Sequence, residues 1–280
     1  MGYVLGLAPS GFAAGGDVPA QIESYAAKAE SLGVDLLVFP ENLMCPRDLT
    51  AEELRELAEA LDGPFVHDVA DSAHRHGLWI VGTMSEINPR GGLPYNTAFV
   101  INSAGEVCGS YGKSHLYDAH GVRESDRMSK GDALCEPVHT PFCTLGLGIC
   151  YDLRFPEVSR ALALVGCDLL LYPAAWHDGP HKLEHWQTLL RARAIENECF
   201  VAGVCHAGER YVRRSAIYDP LGCELAVGDG DGLVTATIDT DAVVTARDAM
   251  PVFRHRRPEL YDALVAAWSD TERQQKSPWR

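Results

Sequence analysis

The chain has 280 residues, 46% of them hydrophobic and 22% charged, with no low-complexity tract, which is the balance of a folded globular protein. Its formal net charge of -15 excludes a nucleic-acid groove, which needs clustered Lys and Arg. No apolar run reaches the roughly 20 residues that span a bilayer.

The amino terminus, MGYVLGL, lacks the basic and apolar regions of a signal peptide and reads as a first strand. The nine cysteines form no CxxC pair, and their odd number suits reduced thiols in the cytoplasm. Residues 17–32 carry apolar groups at helical spacing up to Gly33, which supplies a cap. Residues 34–39 form a short buried-type strand, 51–60 and 64–76 are helical, and 78–84, 96–102 and 106–111 are strands. A strand over 144–149, a helix over 156–165 and a strand over 168–172 follow. A helix over 182–198 leads to strands at 200–205, 213–219, 222–227 and 233–238. This alternation predicts an α/β protein with helices on both sheet faces. The basic run Arg254-His255-Arg256-Arg257 reads as a local salt-bridge or interface feature.

One internal echo stands out. LGVDLLVFPE (32–41) and VGCDLLLYPA (165–174) share Gly, Asp, an apolar strand, an aromatic and Pro, and each follows a helix. Two similar halves of this kind would pack as two sheets with their strand ends in one cleft. Glu41 closes the first copy where Ala174 closes the second, which marks the carboxylate as a group with a task. No Pro-, Gly- or Ser-rich break divides the chain, so the expectation is one domain over 1–262 and a polar tail over 263–280.

Chemistry-bearing residues sit at strand ends. Cys150, in GICYDLRFPE, follows a strand and precedes a helix opened by Pro156 and Glu157. Backbone N–H groups at such a turn lower a thiol pKa and hold an oxyanion. Glu41 stands beyond a buried strand, where α/β enzymes place working groups, and burial would raise its pKa as a general base. Lys113, in YGKSHLYD, would stabilise an oxyanion if it lay beside the cysteine. His115 is the candidate for a Cys-His pair. His177, His181 and His185 have a metal-like spacing, but Gly179-Pro180 interrupts it, so no metal site is expected.

Taken together, FPENL, YGKSHLYD and GICYDLRFPE resemble the nitrilase, or carbon-nitrogen hydrolase, superfamily in order and spacing. YNTAFVINSAGE, LLRARAIENECFVAGV, SAIYDPLG and HRRPELY extend the resemblance along nearly the whole chain. It implies a four-layer αββα sandwich, a homodimer and a small-molecule amide substrate, with no cofactor. It also implies roles: Cys150 as nucleophile, Glu41 as proton shuttle, and Lys113 with the Tyr151 backbone N–H as oxyanion holders. Glu124, in VRESD, matches a second glutamate that positions substrate and catalytic groups. Arg154 matches a position that binds substrate carboxylate, its other reading being a structural pair with Asp152 or Glu157. Trp176 would wall the pocket. CYDLRFPE with LLRARAIEN is most similar to the amidase branch that includes omega-amidase and deaminated-glutathione amidase. AAWHDGPHKLEHW departs from the omega-amidase pattern. Hydrolysis of N-carbamoyl compounds is the alternative within the same triad, and a non-catalytic scaffold the alternative outside it.

Overall fold

A computed structural model describes residues 2–10, 16–45 and 49–266. The first sheet begins with β1 (Tyr3–Leu7), β2 (Leu36–Val38) and β3 (Trp79–Glu86), which run parallel. The antiparallel β4 (Tyr95–Ile101) and β5 (Val107–Gly112) continue it. A small hairpin, β6 (Asp118–Ala119) and β7 (Val122–Arg123), leads away. The second sheet runs in chain order through β8 (Val138–His139), β9 (Thr144–Leu147), β10 (Leu169–Ala174), β11 (Phe200–Cys205), β12 (Ser215–Tyr218) and β13 (Glu224–Gly228). Within it β9, β10 and β11 are parallel. β14 (Val234–Ile238) then returns to the first sheet as an antiparallel neighbour of β1. Each sheet therefore has six strands, with a parallel centre and antiparallel flanks.

Helices cover the outer faces: α1 (Val18–Ser31) and α3 (Pro64–His76) in the first half, and α4 (Pro156–Leu164) and α5 (Lys182–Asn197) in the second, while α2 (Ala51–Leu57) packs Leu54 with Leu49, Leu116 and Met128 beside the cavity described below. Adjacent residues of β2 show why the layers form. Leu36 and Val38 join the core shared with the second sheet, while Leu37 and Phe39 join the core under α1 and α3. Ala98 and Val100 alternate with Phe99 and Ile101 in the same way on β4. A strand buried on both faces needs apolar residues at every position, which is the continuous pattern of the sequence. Val158, Leu162, Trp186 and Leu190 close the other outer face. The result is the expected αββα sandwich.

The echo marks equivalent places. Asp35 accepts from the Val4 N–H (2.7 Å) and Asp168 from the Thr144 N–H (3.1 Å), so each ties its strand to the preceding parallel one. Leu36 pairs with Leu5 and Leu169 with Leu145. Gly33 and Gly166 both take positive φ, 68° and 98°, to turn from helix to strand.

Some boundaries differ from expectation. The helix at 51–60 stops at Leu57 because Glu59 N–H donates to the Ser85 carbonyl (3.1 Å), extending the chain beside β3. The strand at 144–149 stops at Leu147, since Gly148 and Ile149 lead into the turn that carries Cys150. Three further helices, α6 (Asp241–Ala249), α7 (Val252–His255) and α8 (Pro258–Ala266), follow the last strand, and α8 runs through the expected boundary at 262. Most of the expected tail, 267–280, lies outside the described residues.

Candidate active site

Glu41, Lys113, Glu124 and Cys150 converge on one cavity of about 940 Å³, open mouth included, at the ends of the two sheets. Lys113 leaves the end of β5 and is 2% exposed. Its Nζ donates to Glu41 Oε1 (2.9 Å) and to Glu124 Oε2 (2.8 Å) and Oε1 (3.1 Å). Glu41 stands three residues beyond Val38, the last residue of β2, and is 3% exposed. Asn96 Nδ2 on β4 donates to the same Glu41 Oε1 (2.8 Å), and the Ala175 N–H, just past β10, donates to Oε2 (2.8 Å). The Glu41 carboxylate is thus held from both sheets. Glu124 also accepts from the Tyr117 N–H (2.7 Å).

Electrostatics set the protonation states. Burial pushes the Glu41 carboxyl up, but the Lys113 ammonium and the converging N–H donors overcome it, leaving the pKa below the ordinary value of 4.5. The raised value expected from burial alone is therefore corrected: the sequence shows that Glu41 is buried but not that a cation lies against it. For Lys113 burial works against the charge, yet Glu124 and Glu41 hold its pKa well above 10.5. The Cys150 thiol lies well above its ordinary 9.0, first through burial and then through the Glu41 charge, against the pull of Lys113. The lowered thiol pKa expected at this turn is corrected as well. These directions leave a protonated Cys150 thiol lining the same cavity as an ionised Glu41.

Cys150 opens a 3₁₀ turn, Cys150–Arg154, with φ of 46°. A positive φ on a residue with a Cβ costs of order 1–3 kcal/mol and recurs where side chains are aimed for chemistry. Asp152 N–H bonds the Ile149 carbonyl (3.0 Å), so the Tyr151 N–H stands one residue ahead, at the open amino end of the turn. The helix opened by Pro156 starts only after this turn.

The mouth is cationic. Arg154 stacks its guanidinium on Trp176, 4.7 Å from the ring centroid, and among the described residues it forms no ion pair with Asp152 or Glu157. Trp176 walls the cavity, with its Nε1 donating to the Lys182 carbonyl (3.1 Å). Sequence reasoning missed Lys182, whose Nζ donates to the Tyr117 hydroxyl (2.9 Å) and faces the Tyr117 ring, and Arg127, which donates to the Leu49 carbonyl (3.1 Å). Lys182 lies in AAWHDGPHKLEHW, the segment that departs from the expected pattern, and that departure was the available signal. Asn96 was missed too, though it stands inside the quoted YNTAFVINSAGE. His115 does not line the cavity: its Nδ1 meets Asp152 Oδ1 (2.8 Å) and its ring stacks on Phe155. His177 lines the cavity, while His181 and His185 stack on each other, and among the described residues no three His, Cys, Asp or Glu side chains cluster to hold a metal.

The carbon-nitrogen hydrolase family model matches residues 18–248. The deaminated glutathione amidase of Bos taurus is 37% identical over 257 residues, covering 85% of this chain and 76% of the relative. That of Escherichia coli O157:H7 is 33% identical over 235 residues, covering 84% and 89%. The crystal structure of the C. elegans NitFhit protein superposes with a TM-score of 0.84 at 32% identity, covering 93% of this chain and 66% of that one. Saccharomyces cerevisiae Nit3, a member of branch 10 of the nitrilase superfamily, gives 0.80 at 26% identity, covering 91% and 97%. A cysteine, two carboxylates and a buried ammonium meeting in one cavity of an αββα sandwich agree with these likenesses: the chain belongs to the carbon-nitrogen hydrolase family, on the amidase branch of the nitrilase superfamily.

Proposed function

We propose that the protein hydrolyses the amide of a small carboxylate-bearing acid through a Cys150 thioester. The observation that carries this reading is Lys113 Nζ bridging Glu41 and Glu124 beside Cys150. Cys150 Sγ attacks the amide carbonyl carbon while its proton passes to Glu41. A raised thiol pKa against a lowered carboxyl pKa makes that transfer uphill at rest, so it accompanies attack rather than preceding it. An ammonium has three N–H donors, and Lys113 gives two directions to carboxylates, which leaves one for the oxyanion beside the Tyr151 N–H. Lys113 stays charged throughout and is an electrostatic stabiliser. Glu41 then protonates the departing nitrogen as the C–N bond breaks. It next takes a proton from the water that attacks the thioester, and the acid leaves with the thiol restored. Glu124 holds Lys113 in place.

The substrate class follows from charge. Four cations (Lys113, Arg127, Arg154 and Lys182) and two carboxylates (Glu41 and Glu124) line the cavity, an excess of positive charge in a chain of net charge -15. Arg154, uncommitted to a protein carboxylate, would take the substrate carboxylate against the Trp176 wall. Deaminated glutathione, named in the relatives, is the first peptide-derived acid to test. Arg154→Leu is expected to raise KM for acid amides about 10–100-fold with a smaller change for neutral amides, measured by steady-state kinetics. An equal loss on both classes would remove the carboxylate site. Nine free cysteines support a reducing compartment such as the cytoplasm, and among the described residues no helix is long and apolar enough to cross a membrane.

A further inference from the structure

We propose that Asp152, which is fully buried and does not line the cavity, is a positioning residue that locks the Lys113 loop to the Cys150 turn. The proposal rests on the catalytic roles given above to Lys113 and Cys150. Every polar contact of its carboxylate joins those two segments. Oδ2 accepts from the Ile149 N–H (2.9 Å), one residue before the nucleophile, and from the Tyr111 hydroxyl (2.8 Å), two residues before the lysine. Oδ1 accepts from the His115 N–H (3.1 Å), His115 Nδ1 (2.8 Å) and the Ser114 hydroxyl (3.4 Å), all just after the lysine. Tyr111 and Ser114 are themselves hydrogen-bonded across Lys113 (2.8 Å). The two segments come from different sheets, β5 and β9, so no backbone ladder sets their relative position.

The donor pattern demands a carboxylate. Each oxygen receives one backbone N–H, from Ile149 and from His115, and a backbone N–H cannot rotate away or turn into an acceptor. Asparagine in either amide orientation would set its NH₂ against one of them. The isosteric change Asp152→Asn therefore forces the two segments apart while leaving the packed volume almost unchanged. An oxyanion donor displaced by about 1 Å costs on the order of 100-fold in rate.

The test uses the full chain and any amide that the wild type turns over in a Cys150-dependent manner. Cys150 is titrated with iodoacetamide and counted on its peptide by mass spectrometry, so turnover is expressed per reactive site. Asp152→Asn is expected to lower kcat per titrated site by about 100-fold with KM within about threefold. Tyr111→Phe removes a single hydroxyl and is expected to lower kcat by roughly tenfold, with KM again held. A merely structural role would reduce the titratable fraction and the melting temperature but leave turnover per site intact. Turnover per site within about twofold of wild type in both variants overturns the proposal, and if Asp152→Asn does not fold, Tyr111→Phe decides alone. If Cys150→Ala retained full turnover in the same assay, the catalytic reading itself would fall and this inference with it.

Discussion

At the scale of the residue, the site is governed by one buried cation between two buried carboxylates. Removing one partner of a buried ionic cluster costs about 3–5 kcal/mol, because the remaining charges stay desolvated. Lys113→Met is expected to lose stability in that range by urea denaturation, together with turnover. A loss below about 1 kcal/mol would mean that Glu41 and Glu124 find solvent. The lowered Glu41 pKa has a sign that can be checked. The carboxylate is the competent form, so its contribution to activity and stability is present above the ordinary value of 4.5 and is lost only as pH falls through the lowered folded value. The acid limb of kcat/KM should therefore lie below 4.5, and a limb above 4.5 would contradict the Lys113–Glu41 pairing. Strand ends marked Glu41, Lys113 and Cys150 one by one, and the resemblance of their motifs to the nitrilase superfamily is what grouped them. The direction of both pKa shifts was not legible: for Glu41 the neighbouring Lys113 charge depends on packing, and for Cys150 the depth of burial at the turn does.

At the scale of the element, the turn after β9 depends on Gly148. A Cβ there would sit 2.5 Å from Tyr172 Cε1, on a ring that is fully buried and anchored by its hydroxyl to Ser159 Oγ (2.7 Å). Gly148→Ala is expected to cost about 1–3 kcal/mol by overpacking and to lower kcat as Cys150 shifts. Unchanged turnover and melting temperature would show that the turn can relax. On the other outer layer, His76 on α3 joins Glu30 (2.7 Å) and Glu23 (2.8 Å) of α1. Burial opposes the charge on His76, but the two glutamates win and raise its pKa above 6.5. Its stabilising share is thus full below 6.5 and disappears as pH rises through the folded value. His76→Gln should be less stable than wild type at pH 6, by up to about 1 kcal/mol, with the gap narrowing at alkaline pH. A gap that widens with pH would reverse the assignment. The central strands and the helices packed on them were legible because their apolar residues run continuously or repeat in regular periods, whereas the two-residue strands β6, β7 and β8 and the helices α6 to α8 were not read. Lys182 was not, because it opens α5 and reaches the cavity from a helix end, where no period marks a functional side chain.

At the scale of the whole molecule, the echo of LGVDLLVFPE and VGCDLLLYPA corresponds to β2 and β10, the middle parallel strands of the two sheets. The site forms where the ends of both sheets meet, so Glu41 from one half takes an N–H from Ala175 of the other. Counted from the paired Leu5 and Leu145, Ser10 stands where Cys150 stands in the second half. In the proposed mechanism one half thus supplies the base and the other the nucleophile. Leu164 and Val165 at the end of α4, Ile195 on α5, and Val244 and Met250 on and after α6 are exposed apolar side chains that a homodimer of the kind the resemblance implies would cover. Light scattering after size exclusion should then give twice the 30.5 kDa of one chain.

The proposed activity is Cys150-dependent hydrolysis of carboxylate-bearing amides. The most direct measurement compares wild type with Cys150→Ala on deaminated glutathione, succinamate, 2-oxoglutaramate, N-carbamoyl amino acids, neutral aliphatic amides and a nitrile, following both ammonia and the acid product. Turnover of acid amides by the wild type and none by Cys150→Ala is expected. Full activity in Cys150→Ala, or turnover confined to neutral amides, nitriles or carbamoyl compounds, would contradict it.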